Sequence, residues 1–206
     1  MADCFALQSG ASSLPDPLEI DGRRLRSVAS RDRIINAVIA LVDEDQGIPG
    51  AEAIAARAGV GLRSVFRHFG DMDGLYVAVI ERIGRRYTHL YRPYEASSWQ
   101  GQVGEAMARR MEMFETVLPY RRAADMHRQR SPLLNHGLDA LTLMLRARLE
   151  GAVPPDVKAD HLWFEQLDLW LSLEAYGRLR DRQRQDHAGA AQVIEAAVAA
   201  LLAAKS

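Results

Sequence analysis

The chain has 206 residues, of which 48% are hydrophobic and 26% charged, with a formal net charge of −1. That composition supports a sizeable core and excludes a globally basic coat for nucleic acid, so any contact with DNA has to be local. The single cysteine, Cys4, forbids an internal disulfide; no apolar run reaches membrane-spanning length and no basic-then-apolar leader opens the chain, so a cytoplasmic location is expected.

Residues 1–29 read as a flexible tail. Ser12-Ser13-Leu14-Pro15-Asp16-Pro17 is poor helix material, and residues 1–20 carry three acids and no base. The tail closes on Arg23, Arg24 and Arg26, either a basic arm that reaches a minor groove or phosphates, or a solvated linker. From Ser30, apolar residues at 34, 35, 38, 39, 41 and 42 make a helix-period stripe that Gly47 and Pro49-Gly50 end. Ile54-Ala55-Ala56-Arg57-Ala58-Gly59-Val60-Gly61-Leu62-Arg63-Ser64-Val65-Phe66-Arg67-His68-Phe69 then reads as two short helices around a tight turn. Ala55 and Ala58 allow close helix approach, Gly59 suits the left-handed backbone of a helix end, and Val60 plugs the angle. The second helix buries Val65 and Phe69 while Arg63, Ser64, Arg67 and His68 point outward, a face suited to a DNA major groove. By itself the segment also fits a helical hairpin with solvated arginines. After Gly70, Asp71 caps a longer helix carrying Leu75, Tyr76, Val79, Ile80, Ile83 and Tyr87.

Taken together, residues 30–87 resemble the DNA-binding domain of the TetR family of transcriptional regulators. The matching elements are the first-helix stripe, Ile54-Ala55, Ala58-Gly59-Val60, the aromatic Phe66, His68-Phe69, and Leu75 after the Asp71 break. The resemblance implies an all-α protein with a helix-turn-helix DNA-binding domain over 30–75 and a helical effector-binding and dimerisation domain over 76–206. It also implies that Leu62, Arg63, Ser64 and Arg67 reach base edges, while His68 and the Arg23, Arg24 and Arg26 arm hold the backbone. The chain departs from the family at Phe66, usually Tyr, and Met72, usually Lys, both usual residues being common phosphate contacts. Gly61 stands where Ser or Thr opens the reading helix, and Gly50-Ala51 where Thr opens the helix before it.

From residue 88 the chain reads as five amphipathic helical segments separated at Pro93, Ser97-Ser98, Pro119, Ser131-Pro132, Gly151–Pro155 and Asp186–Gly189. Residues 156–181 are apolar on nearly every face, and 190–203 combine Val193, Ile194, Val198, Leu201 and Leu202 with seven alanines. A short chain covers only one side of such a helix, so a second subunit is expected on the other, with Leu169, Trp170, Leu173, Tyr176, Ile194, Val198 and Leu201 at the dimer interface. A two-fold dimer implies a near-palindromic operator in double-stranded DNA. In the family the intervening helices enclose an effector cavity, for which Met107, Met111, Phe114, Met126, Met144 and Trp163 are candidates, each also a plausible core filler. Arg121, Arg122, Arg128 and Arg130 around Asp125 and His127 read either as a site for an anionic effector or, the preferred reading, as a solvated face.

Catalysis has no support. Gly59-Val60-Gly61 neither follows a strand nor completes a nucleotide fingerprint, the six histidines show no i, i+4 zinc pair, and Asp160-His161 point apart. No cofactor and no metal are expected. The expected function is a homodimeric DNA-binding regulator, a repressor released by a small apolar molecule. The alternative, motivated by Phe66 and Met72, is a protein of the same fold that has lost operator binding and works through protein contacts.

Overall fold

The computed structural model describes residues 17–44, 49–128 and 132–205. All its regular elements are helices: α1 (Pro17–Asp43), α2 (Ala51–Ala58), α3 (Leu62–Phe69), α4 (Met72–Gly84), a 3₁₀ stretch (Arg85–Tyr91), α5 (Trp99–Arg128), α6 (Pro132–Ala152), α7 (Pro155–Lys158), α8 (His161–Trp170), α9 (Leu173–Asp181) and α10 (His187–Ala203). Among the described residues no helix is long and apolar enough to cross a membrane.

Helices α1–α4 form one packed unit around Ile34, Ile35, Val38, Ile54, Val65, Leu75 and Val79, all buried. Local chemistry sets its corners. Gly59 ends α2 in the left-handed region (φ 63°) and donates its amide back into the last turn; an L side chain there would be strained. Asp71 caps α4 by accepting from the Gly74 amide at 2.8 Å. The Tyr76 hydroxyl donates to the Pro49 carbonyl at 3.2 Å, and burial, with Asp73 nearby, pushes its phenol up to about 12. Ion pairs Arg57–Glu44 and Arg82–Asp32 brace α2 and α4 against α1.

Helix α5 is the spine of the rest, contacting α6, α9 and α10, while α8, α9 and α10 pack on one another. Asp160, Ser172 and Asp186 cap α8, α9 and α10 through the amides of Trp163, Ala175 and Gly189.

Three element boundaries differ from the sequence reading. Helix α1 begins at Pro17, so residues 17–29 are helical rather than part of a flexible tail, and Ser30 lies inside the helix instead of capping it. A proline at the first helical position is a good starter, because the amide it lacks has no intrahelical partner there. Pro119 does not break the chain but sits inside α5. Leu118 and Tyr120 on either side of it are both buried, and their packing carries the helix through at the expense of one backbone bond. Residues 156–181 form three helices instead of one. The apolar run continues across them, but the Asp160 and Ser172 caps each restart a helix.

Candidate DNA-reading face and effector cavity

Helix α3 stands on α2 and α4 through Val65, which is fully buried, and Phe69, which is half-buried. The Arg31 guanidinium lies over the Phe69 ring, 5.0 Å from its centroid, and ties the end of α3 to α1. Outward, the helix carries two parallel rows. Leu62 and Phe66, each 39% exposed, form an apolar row, and the exposed Arg63 and Arg67 form a cationic row beside it. Both pairs are spaced i, i+4, so each row runs along the helix axis. Ser64 is half-buried and accepts from Arg67 at 3.5 Å, too long a contact to hold the arginine in place. The helices α2 and α3 open on Gly50 and Gly61 without a side-chain cap, leaving first-turn amides available to an anion.

His68 differs from expectation. It is half-buried rather than outward, and its Nε2 is buried with no hydrogen-bond partner among the described residues. Burial, then the charges of Arg67 and Arg31, hold its pKa below the usual histidine value, so the ring is neutral at pH 7. A neutral imidazole is no cationic phosphate clamp. Arg24 and Arg26 are exposed on α1. The Arg23 side chain, like Cys4, Gly47 and the Met126 side chain, lies outside the described residues. Met72 is half-buried and packs against the core, so its position at the start of α4 serves packing.

A cavity of about 460 Å³ lies between α4, the 3₁₀ stretch, α5 and α6. Its wall is mostly apolar and includes Ile83, Tyr87, Met113, Tyr120, Leu138 and Met144. Of the five expected ligand residues whose side chains are described, Met144 lines it and the other four do not. Met111, Phe114 and Trp163 are buried in the core, where Trp163 donates its Nε1–H to the Leu201 carbonyl at 2.8 Å and meets Trp99 edge-on. Met107 is half-buried against the same core. The cavity residues the sequence reading missed include Tyr87, Tyr91 and Tyr120. Tyr87 sits at a kink where the backbone leaves helical geometry (φ −107°, ψ 23°), and that kink turns the wall. A tyrosine recurring at 87, 91 and 94 just past α4 was the available signal.

The expected dimer face also needs revision. Leu173, Tyr176, Ile194 and Val198 are buried inside the chain, because α5, α9 and α10 cover one another; Trp170 and Leu201 are half-buried. Leu169 is 61% exposed, and Leu162, one heptad earlier on the same face of α8, is 74% exposed, with Val193 of α10 also exposed.

Residues 44–79, spanning α2, α3 and the first half of α4, match the family model described as "Bacterial regulatory proteins, tetR family". The reading unit is a TetR-family domain. The whole chain also shares its fold with solved structures. The multidrug binding protein EbrR, solved with imidazole, is 20% identical and superposes with a TM-score of 0.58 over 93% of this chain and 97% of its own. A tetR-family transcriptional regulator from Streptomyces coelicolor is 19% identical, TM-score 0.60, with 85% and 83% covered. A TetR transcriptional regulator from Rhodococcus sp. RHA1 is 17% identical, TM-score 0.55, with 89% and 98% covered. No curated protein matches the sequence. The C-terminal helices thus share the fold of these solved structures, while the match to the family model lies within residues 44–79.

Proposed function

We propose that the protein is a sequence-specific transcriptional repressor that binds a near-palindromic DNA operator as a homodimer and is released when a small, mostly apolar molecule occupies the cavity lined by Tyr87, Tyr120 and Met144. The observation that carries this reading is the outward face of α3, where Arg63 and Arg67 stand beside Leu62 and Phe66 on a helix packed against α1, α2 and α4. Paired donors next to apolar groups match major-groove edges, arginine reading guanine and apolar atoms meeting a thymine methyl. The exposed Leu162, Leu169 and Val193 supply a patch for a second subunit, whose two-fold axis would place two reading helices about one DNA turn apart. The cavity is within the size range of roughly 300–1,000 Å³ typical of small-ligand sites. Its occupant acts only through different affinities for the DNA-competent geometry and its alternative.

Selection of random duplexes by the purified protein, sequenced after binding at near-physiological salt, tests the reading. Enrichment of a palindrome supports a dimeric reader. No enrichment from a folded dimer transfers the function to protein contacts, with the apolar Leu62–Phe66 row as the contact surface.

A further inference from the structure

Tyr120 belongs to two places at once. Its ring is part of the cavity wall, while its hydroxyl donates to Asp43 Oδ1 at 2.7 Å. Asp43 is the last residue of α1, the helix on which α2 rests. Its neighbour Glu44 holds Arg57 of α2 in an ion pair, and the Pro49 carbonyl just ahead of α2 is held by Tyr76. The corner Asp43-Glu44 is therefore gripped from one side by the cavity wall and from the other by α2. Burial, then the hydrogen bond to Asp43, raises the Tyr120 phenol far above its ordinary range, so it remains a proton donor at every physiological pH. The groups bearing on that hydroxyl are Asp43, Arg86 and Tyr87, the last also a cavity residue.

We propose that Tyr120 is the coupling residue of the protein: the Tyr120–Asp43 hydrogen bond carries the occupancy of the cavity to the end of α1 and so to the placement of α2 and α3. This rests on the reading of the cavity as an effector site and adds the contact through which that site acts. A molecule seated against the Tyr120 ring moves a side chain whose far end is fixed to α1. The effector class that follows is a compact apolar body that presses on the ring, with or without a hydroxyl acceptor.

The test uses an occupant built into the chain. Gly137 on α6 lines the cavity, and a Cβ added there meets nothing within 4 Å, so Gly137→Phe places a ring in the cavity permanently. Tyr120→Phe keeps the wall and deletes the hydroxyl. The two substitutions and their combination are compared with the parent for affinity to the selected duplex and for amide exchange over residues 43–58. In the parent, filling changes duplex affinity by about tenfold or more and alters exchange over 43–58, whereas in the Tyr120→Phe background the change falls below about threefold and exchange there no longer responds. Slowed exchange around Leu138 in both backgrounds shows the ring seated. If filling changes affinity equally in both backgrounds, the Tyr120 proposal is overturned and the cavity reading stands. If the ring is seated and neither affinity nor exchange over 43–58 changes in the parent, both are overturned.

Discussion

Arg110 offers the sharpest energetic test of how the C-terminal helices are held. It is only 4% exposed, on α5, with no carboxylate in hydrogen-bond contact among the described residues. Its guanidinium donates to the Leu171 carbonyl at 2.8 Å and the Leu145 carbonyl at 2.5 Å, pinning α6 and the junction between α8 and α9 to the spine. Burial pushes its pKa down, with Asp168 opposing. Two substitutions that both remove the charge isolate the packing contribution. Arg110→Ala removes two buried methylenes, about 1.6 kcal/mol at about 0.8 each, and leaves a void. It also strips the Leu171 carbonyl, at the end of α8, of its side-chain donor, about 1–3 kcal/mol, while Leu145 keeps its helical partner inside α6. The sum is a loss of about 3–5 kcal/mol before the relief, shared by any neutral replacement, of no longer burying a charge. Arg110→Met orphans the same carbonyl and shares that relief but refills the void, so its loss is smaller by about 1.6 kcal/mol or more. Urea unfolding followed by the fluorescence of Trp99, Trp163 and Trp170 at fixed protein concentration reads both values. A methionine variant no more stable than the alanine variant would refute the reasoning, because the two differ only in whether the space left by the arginine is refilled.

The remaining predictions follow from the reading face and the apolar patch. Arg67→Ala should weaken binding to the selected duplex by about 1–3 kcal/mol and relax base preference at one position per half-site; unchanged affinity and preference remove Arg67 from the readout. Because the folded pKa of His68 lies below its unfolded value of about 6.5, the folded unit resists protonation that the unfolded chain accepts. Its stability should be full above that pH and fall as pH drops toward the folded pKa, and His68→Gln should flatten this part of a thermal-melt pH profile. A charge in the centre of the exposed patch, Leu169→Glu, should shift the protein from dimer to monomer in sedimentation; an intact dimer would place the interface elsewhere.

The parts legible in the sequence are those that short-range chemistry decides. Gly59 announces a left-handed helix end and Asp71 a cap, and between them the alternation of Val65 and Phe69 with Arg63 and Arg67 fixes which side of α3 faces out. Nothing distant is needed to read them, and the structure has them as read. The failures lie where tertiary packing overrides local preference. Pro119 reads as a break until Leu118 and Tyr120 are seen buried on both sides of it. The run from 156 to 181 is apolar on all faces, and such a pattern says that a helix is covered without saying by what. Tyr176 and Ile194 turn out to be covered from within, and Leu162 and Leu169 are left outside. The cavity residues were missed for a similar reason. A wall assembled from α4, a 3₁₀ kink, α5 and α6 leaves no period in any one segment, and methionines attract attention although most of them here fill core.

The two departures from the family pattern now separate. Met72 packs into the base of α4, where a lysine would have to turn its ammonium out to solvent, so the exchange trades a phosphate contact for core. Phe66 does the opposite. It stays 39% exposed beside Leu62, on the face that would meet DNA, having given up the hydroxyl a tyrosine offers a phosphate. A phenol hydroxyl is uncharged, so its loss does not change counterion release; a lysine's loss does, by about one unit of salt slope for each contact. Burying the Phe66 ring against sugar or a thymine methyl returns free energy through the hydrophobic effect, which added salt does not screen. The balance of the reading face is therefore moved from ionic toward apolar contact, and affinity at physiological salt need not fall with the number of phosphate contacts. On the proposed reading the exchange costs breadth: with fewer phosphate contacts, non-specific binding weakens first, and discrimination rests more heavily on Arg63, Arg67 and the apolar pair beside them.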